Sequence, residues 1–145
     1  MLRQFKSVHI GIATQTPEGL IVPVLRDAQT RDLWASAVEI ARLAEAAREG
    51  HATRQELSGS TITITSLGKL GGIVTTPIIN APEVAIIGIN KVRTAPVWDG
   101  AAFAPRQMMN ISASFDHRVI DGYDAALFIQ KIKSELENSS VGASA

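Results

Sequence analysis

Alternation of apolar and polar residues at the start of the chain predicts β-structure. Val8, Ile10 and Ile12 alternate with smaller or polar residues, which is the period of a half-buried strand. A second apolar run covers residues 20–25, and Pro23 within it favours an edge strand or a bulge. Residues 16–19 between the two runs read Thr-Pro-Glu-Gly, which is typical of a turn. We therefore predict a hairpin here.

The next segment has helical periodicity. Thr30 or Asp32 can cap its start, and Gly50 can end it. The spacing predicts an apolar face made of Leu33, Ala37, Ile40, Ala44 and Ala47. We expect the helix that carries Leu33 and Trp34 to belong to the core and not to a cofactor site. Residues 53–56, Thr-Arg-Gln-Glu, have the form of a capping box and predict a short second turn.

The remainder of the chain alternates predicted strands with glycine-rich connections. Residues 61–66 are rich in β-branched side chains, and residues 84–90 are apolar on both faces, which predicts a central strand. The Asp-Gly pair after Trp98 predicts a hairpin turn against which this tryptophan packs. Residues 109–116 alternate between an apolar face and an uncharged polar face.

A last helix is predicted from Asp121 to Glu137, with Phe128, Ile132 and Leu136 on its inner stripe. Residues 138–145 are small and polar, which predicts a disordered tail. The pattern as a whole predicts one α+β domain over residues 1–137, with one sheet and helices packed against it.

Composition narrows the possible functions. Fourteen basic residues balance fourteen acidic ones, so no net charge attracts the chain to nucleic acid or to an anionic membrane. The longest apolar runs, such as residues 84–89, are too short to span a bilayer. We therefore expect neither nucleic acid nor membrane as a partner. The chain has no cysteine, so any thiol in its reaction must belong to a substrate.

Candidate chemistry lies where the last strand meets the last helix. His117 and Asp121 are four residues apart, and an imidazole can take up and return a proton near neutral pH. Asp121 can cap the helix or orient a neighbour, and Arg118 offers a fork-shaped cation for a carboxylate. The alternative is a purely structural role, in which His117 is a surface or hydrogen-bonded histidine and Asp121 is an ordinary helix cap. The residue types permit general-base catalysis without requiring it.

The glycine-rich loop at residues 66–72 is a second candidate. It lacks the P-loop spacing, so it is either a mobile connection or a place where backbone approaches a ligand. Thr65 and Ser66 place hydroxyls at the end of the preceding strand, where they can donate to an oxyanion or be plain strand residues. His9, His51 and His117 are scattered without ligand spacing, so we predict no metal site.

At residues 116–122 the sequence Asp-His-Arg-Val-Ile-Asp-Gly resembles the Asp-His-Arg-x-x-Asp-Gly signature of the acyltransferases of 2-oxo acid dehydrogenase complexes. Other blocks resemble the family in the same order: residues 19–25, 57–61, 66–72 and 76–86. The resemblance covers residues 8–137 and is closest to the bacterial branched-chain enzymes, particularly at residues 71–77 and 114–117.

The resemblance implies reversible acyl transfer between the thiol of dihydrolipoamide and coenzyme A. It makes His117 the general base that deprotonates the attacking thiol, and Thr65 the hydroxyl that stabilises the oxyanion, with Ser66 as the neighbouring alternative. Asp121 would fix the geometry of the site. Ser66, Gly71 and Gly72 are the residues expected to contact coenzyme A.

The fold implied is the chloramphenicol acetyltransferase-like mixed sheet flanked by helices. The family forms trimers, in some members assembled into cages, with active sites in channels between subunits. The decarboxylase and dihydrolipoamide dehydrogenase components are the expected partners of the full-length protein. We expect the chain to be truncated at the N-terminal side, with the lipoyl group supplied by a lipoyl domain absent from it. The expected compartment is the bacterial cytoplasm, or the mitochondrial matrix in a eukaryote.

Two other hypotheses stay open. The chain could be a trimeric scaffold fragment that keeps the fold without turnover, or an O-acetyltransferase of the same fold. Residues 80–85, Asn-Ala-Pro-Glu-Val-Ala, favour the lipoamide branch over the O-acetyltransferases.

Overall fold

The structure is a computed structural model that describes residues 2–139. Its strands are β1 Ile10–Ile12, β2 Thr14–Thr16, β3 Gly19–Ile21, β4 Val24–Leu25, β5 Ile62–Ser66, β6 Ala85–Ile89, β7 Arg93–Trp98, β8 Phe103–Met108 and β9 Ile111–Phe115. The two α-helices are α1 Leu33–Arg48 and α2 Gly122–Asn138. This is the predicted α+β arrangement.

A mixed five-stranded sheet organises the chain in the order β4-β1-β5-β6-β9. β5 pairs in parallel with both β1 and β6, whereas β4 and β9 pair antiparallel with β1 and β6. β6 therefore has a neighbour on each side, and Ala85, Ile86 and Ile87 are all buried. The prediction of a central strand from its two apolar faces is confirmed.

The start of the chain forms two antiparallel pairs, where one hairpin was predicted. β2 pairs with β3 around the expected turn, while β1 pairs with β4. The predicted strand at residues 20–25 is divided because Pro23 lies between β3 and β4, where its carbonyl accepts the amide of Ile12 at 2.8 Å. The other predicted hairpin, β7–β8, is confirmed, and Trp98 packs edge-to-face on Phe103.

Helix α1 begins where Asp32 caps it, since the carboxylate of Asp32 accepts the amide of Ala35 at 2.7 Å. The predicted apolar face is only partly right, because the buried residues are Leu43 and Ala47. The prediction that Leu33 and Trp34 belong to the core is wrong: their side chains are 58% and 72% exposed. The helix packs on β2 and β4.

The predicted capping box at residues 53–56 is present. The carboxylate of Glu56 accepts the amide of Thr53, and the hydroxyl of Thr53 accepts the amide of Glu56. Arg42 of α1 donates to Glu56 at 2.6 Å and to Glu39 at 2.8 Å. This network joins the turn to the helix.

The polar face of the sheet is covered by residues 75–80, here called the crossing segment. The amide of Thr75 donates to Ser112, and the hydroxyl of Ser114 donates to the carbonyl of Pro77. A Cβ at Gly88 would lie 2.6 Å from the hydroxyl oxygen of Thr75, so only glycine allows this close approach. The uncharged polar face predicted for β9 is therefore the surface on which this segment lies.

Helix α2 begins after Asp121, whose carboxylate accepts the amides of Tyr123 and Asp124. Phe128 of its predicted inner stripe packs edge-to-face on Phe115 of β9, with 6.4 Å between ring centroids. No residue of α2 is buried in the single chain. Asn138 is still helical, so the predicted tail does not start there, and residues 140–145 of that tail lie outside the described residues.

None of the helices between residues 2 and 139 has the length and apolar character needed to cross a membrane.

Candidate active site

His117 stands at the first position of the turn that joins β9 to α2. The preceding residue, Asp116, is tied to the start of β6, because its amide donates to the carbonyl of Val84 at 2.8 Å. The carbonyl of Asp116 in turn accepts the amides of Val119 and Ile120, which closes the turn. The His117 side chain is exposed. The strand-to-helix junction predicted from the sequence is therefore the place that presents the imidazole.

The carboxylate of Asp116 is held by Arg118 in a two-pronged contact. Nε of Arg118 donates to one carboxylate oxygen at 2.9 Å and Nη2 to the other at 2.7 Å. These bonds and the amide of Arg118 lower the pKa of Asp116 to about 2, so the carboxylate is ionised at neutral pH. The fork of Arg118, expected to bind a carboxylate, binds this one.

Asp121 is the N-cap of α2, with both cap hydrogen bonds at 3.0 Å. Its carboxylate is therefore engaged by backbone amides and fixes where the helix begins. The helix-cap interpretation of Asp121 is confirmed, and its role in orienting a neighbour or fixing the geometry of the site stays a prediction.

A cavity of about 570 Å³ opens beside this turn. Asp116, Arg118 and Val119 line one side, and Leu2, Arg3 and Phe5 of the N-terminal segment line the other. This cavity lies at the end of the sheet that carries His117, and its lining includes both sequence neighbours of His117 but not His117 itself.

Thr65 lies in a separate cleft of about 570 Å³ on the polar face of the sheet. Thr63, Thr65 and Ile86 form part of its floor, and its walls are the β2–β3 hairpin and the crossing segment. Among residues 2–139, no group forms a hydrogen bond with the hydroxyl of Thr65. Its O–H is therefore available to a ligand.

A buried carboxylate supports the floor of this cleft. Glu83 is 8% exposed, and one of its oxygens accepts hydrogen bonds from Thr63 at 2.9 Å, from Asn80 at 3.1 Å and from Ser60. Glu83 thereby links β5, which carries Thr65, to Asn80 at the end of the crossing segment. The sequence interpretation missed this role, although residues 80–83 form a polar Asn-x-x-Glu group directly before an apolar strand.

The three residues expected to contact coenzyme A occupy different environments. Ser66 and Gly71 line the Thr65 cleft, and the hydroxyl of Ser66 accepts the amide of Gly68. Gly72 is not among the described residues that line this cleft, and its carbonyl accepts the amide of Lys91 at 3.2 Å. The loop between them contains a short 3₁₀ turn at Gly68–Leu70.

Thr65 and His117 are not brought together within one chain. Thr65 pairs with Gly88 near the C-terminal end of β6, whereas Phe115 pairs with Ala85 at its N-terminal end. Two strand spacings across the sheet and three residues along it separate Thr65 from Phe115 by on the order of 15 Å, and His117 lies beyond Phe115. A hydroxyl and an imidazole so far apart cannot act on the same carbonyl in one chain.

The described residues contain no group of three or more His, Cys, Asp or Glu side chains that could hold a metal ion. The candidate reactive groups are the exposed imidazole of His117 at one end of the sheet and the hydroxyl of Thr65 in a cleft near the other. These are groups for proton transfer and for stabilising an oxyanion.

Comparison with known proteins agrees with this arrangement. The family model for the catalytic domain of the 2-oxoacid dehydrogenases acyltransferase matches residues 1–141. The lipoamide acyltransferase component of the branched-chain alpha-keto acid dehydrogenase complex of Pseudomonas aeruginosa is 60% identical over 138 residues, which is 95% of this chain. The chain spans about a third of the length of that relative, 32%.

Solved structures give the same family. The dihydrolipoamide acetyltransferase of Azotobacter vinelandii is 49% identical, with a TM-score of 0.89 over 93% of this chain and 56% of its own. The cubic core of a pyruvate dehydrogenase multienzyme complex is 48% identical, with a TM-score of 0.88 over 92% of this chain and 55% of its own. The chain therefore belongs to the 2-oxoacid dehydrogenase acyltransferase family and lies within its catalytic domain.

Proposed function

We propose that this chain carries the catalytic residues of a dihydrolipoamide acyltransferase, and that two copies of the chain build each active site. The observation that carries the proposal is the separation of Thr65 and His117 at opposite ends of one sheet. A site that needs both groups must take His117 from one copy and Thr65 from another. A closed ring of copies, such as a trimer, repeats that contact at every interface.

The reaction follows from the two groups. The imidazole of His117 takes the proton of an attacking thiol, and the thiolate adds to the carbonyl carbon of the thioester. The carbonyl oxygen becomes an oxyanion, which the O–H of Thr65 stabilises by a hydrogen bond. When the intermediate collapses, the carbon–sulfur bond to the departing thiol breaks. The imidazolium returns its proton to that sulfur, and the acyl group has moved from one thiol to the other.

The Azotobacter vinelandii structure supports these assignments. It accompanies a study of the roles of one serine, one histidine and one asparagine in the catalytic mechanism of that enzyme. The three residues are spaced along that chain as Thr65, His117 and Asp121 are spaced in this one. Threonine keeps the hydroxyl of serine, and Asp121 can cap a helix as asparagine does.

The substrates we assign are dihydrolipoamide and coenzyme A, and the group transferred from one to the other is a short branched acyl group. The relative from Pseudomonas aeruginosa, a component of a branched-chain complex, supports this acyl class. Ser66 and Gly71 are the residues of the Thr65 cleft that would contact the incoming coenzyme A, and Gly72 shapes the loop behind them.

A homo-trimer, and a larger cage like the cubic core, is the assembly we propose. The partners of the full-length protein would be the decarboxylase and dihydrolipoamide dehydrogenase.

The test is acyl transfer from isobutyryl-CoA or acetyl-CoA to free dihydrolipoamide by the purified chain. His117→Ala is compared with His51→Ala, which removes an exposed histidine whose side chain pairs with Glu49. We expect turnover that is lost in the His117 variant and kept in the His51 variant.

Three results would contradict the proposal. Turnover unaffected by His117→Ala would show that another group is the base. Absence of turnover in every variant of an assembled protein would favour a scaffold without catalytic activity. Faster transfer to an alcohol than to a thiol would point to an O-acetyltransferase.

A further inference from the structure

Asp116 is fixed by all of its polar groups. Its amide donates to Val84, its carbonyl accepts two amides of the following turn, and both carboxylate oxygens accept from Arg118. The side chain of Asp116 is 19% exposed, whereas that of Arg118 is 89% exposed. An exposed arginine normally gains little from an ion pair, because its long side chain loses freedom. A two-pronged contact with a fixed carboxylate is the geometry in which such a pair is strongest.

This contact spans His117. Asp116 precedes His117 and Arg118 follows it, so the ion pair closes a small ring around the histidine's backbone. Between residues 2 and 139, the imidazole of His117 itself has no hydrogen-bond partner. Within one chain, the backbone on either side of His117 therefore sets where its Cβ lies, and no hydrogen bond within the described residues holds the imidazole itself.

We propose that Asp116 and Arg118 are positioning residues for His117, acting as a clamp that fixes its backbone and cancels charge on its two sides. The proposal rests on the proposed function for its effect on catalysis. Its structural and electrostatic parts can be measured without turnover.

The charge part of the clamp follows from adjacency. Asp116 carries a negative charge and Arg118 a positive one, and the two are in contact, so their fields at the imidazole largely cancel. Other charged groups near this turn are Arg3, which lines the same cavity as Asp116 and Arg118, and Asp121 and Asp124 at the start of α2. The amides at the N-terminus of α2 add a partial positive charge. None of these changes when the clamp is altered.

The experiment uses four variants of the full chain: Asp116→Asn, Arg118→Gln, both together, and Arg118→Lys. Arg48→Gln is the matched control, because Arg48 also pairs with an acidic neighbour on an exposed surface, Glu45, at 3.4 Å. The chain has three histidines, so imidazole signals in NMR spectra can be assigned with His117→Ala. The titration midpoint of each signal is then followed in every variant.

Opposite shifts are expected in the two single variants. Asp116→Asn leaves an unpaired cation beside His117, which should move the His117 midpoint to lower pH. Arg118→Gln leaves an unpaired anion, which should move it to higher pH, and the double variant should return it close to that of the unaltered chain. The titration midpoint of His51 should not move in the clamp variants, and that of His117 should not move in the control variant Arg48→Gln. Unchanged midpoints in both single variants, or shifts in the same direction, would overturn the charge-cancelling part.

The positioning part is read from kinetics. We expect kcat to fall by about 10- to 100-fold in all four variants, with little change in KM, because a displaced imidazole affects the chemical step. Arg118→Lys should fail to rescue kcat, because an ammonium cannot form the two-pronged contact. In the double variant the titration midpoint of His117 should return to that of the unaltered chain, while kcat should stay low.

Full activity in Arg118→Lys or in the double variant would overturn the role of the clamp in positioning. If the unaltered chain shows no acyl transfer, the proposed function fails, while the titration shifts still decide whether the charges of the clamp act on His117.

Discussion

Thr65 lies on β5 and His117 in the turn that follows β9, near opposite ends of the same sheet, and both strands pair with β6. Thr65 is in register with Gly88, and Phe115, two residues before His117, is in register with Ala85. The two groups are therefore presented in different directions by one rigid element. If both groups act at one site, as we propose, that site must take one group from each of two copies.

Asp121 is predicted to serve helix α2 and the reaction together. Asp121→Ala removes both cap hydrogen bonds and should lower the free energy of unfolding by about 0.5–2 kcal/mol. It should also reduce acyl transfer, because the turn that carries His117 loses its fixed end. Asp121→Asn should keep most of the stability and most of the acyl transfer, since asparagine caps helices as well as aspartate does. Urea unfolding and initial rates measure the two effects.

Asp32→Ala provides the control for that prediction. Asp32 caps α1 through the amide of Ala35, far along the chain from His117. A similar loss of stability with unchanged kcat is expected. Equal losses of activity in the Asp32 and Asp121 variants would show that the effect on turnover comes from general destabilisation.

Gly88 should be replaceable only if Thr75 is changed with it. Gly88→Ala places a Cβ 2.6 Å from the hydroxyl oxygen of Thr75, which should destabilise the fold by about 1–3 kcal/mol. Thr75→Ala alone should cost little, because the buried hydroxyl of Thr75 has no hydrogen-bond partner in the described chain. The double variant should recover part of the loss, with a coupling energy of about 1 kcal/mol in denaturant unfolding.

Gly122→Ala is the matched control for Gly88→Ala. A Cβ at Gly122 would meet no atom within 4 Å, so this change should leave stability nearly unchanged. Strictly additive losses in the Gly88 and Thr75 variants would contradict the close contact between the sheet and the crossing segment.

The network around Arg42 predicts how stability depends on acid. Hydrogen bonds from Thr53 and Arg42 lower the pKa of Glu56 from its ordinary value of 4.5 to about 2, and Arg42 also lowers the pKa of Glu39. Because these pKa values are depressed in the folded state, the stabilisation is present above about pH 4.5 and is lost as the pH falls towards 2.

Arg42→Gln should therefore lower the free energy of unfolding at pH 7 by about 0.2–1 kcal/mol, the range for exposed ion pairs. The difference from the unaltered chain should shrink as the pH falls from about 4.5 to 2. Chemical denaturation at a series of pH values measures it. Arg54→Gln is the control, since Arg54 forms no ion pair within residues 2–139. A difference that does not depend on pH would contradict the assigned cause.

Much of the fold could be predicted because local patterns and tertiary contacts agree. β6 is apolar on both faces and is central, the Asp-Gly turn joins β7 to β8, and Asp32 and Asp121 cap the helices. These signals depend on residues close together in the chain, so the sequence contains them directly.

What could not be predicted depends on contacts between distant segments. Periodicity could not show that Leu33 and Trp34 are exposed, because burial of a helical face depends on which elements pack against it. The contact of Thr75 with Gly88 and the link from Glu83 to Thr63 join segments far apart in the chain. The placement of Thr65 away from His117 follows from strand direction, which residue types do not encode.

The most direct test of the central claim is complementation between two inactive chains. His117→Ala and Thr65→Ala are purified, mixed in equal amounts, dissociated and reassembled, and acyl transfer is compared with that of each variant reassembled alone. If each site takes His117 from one copy and Thr65 from its neighbour, random mixing restores about a quarter of the sites, and activity should rise to about that fraction of the unaltered chain. Activity in the mixture equal to the mean of the two variants would contradict a shared site and would place both residues' roles within a single chain.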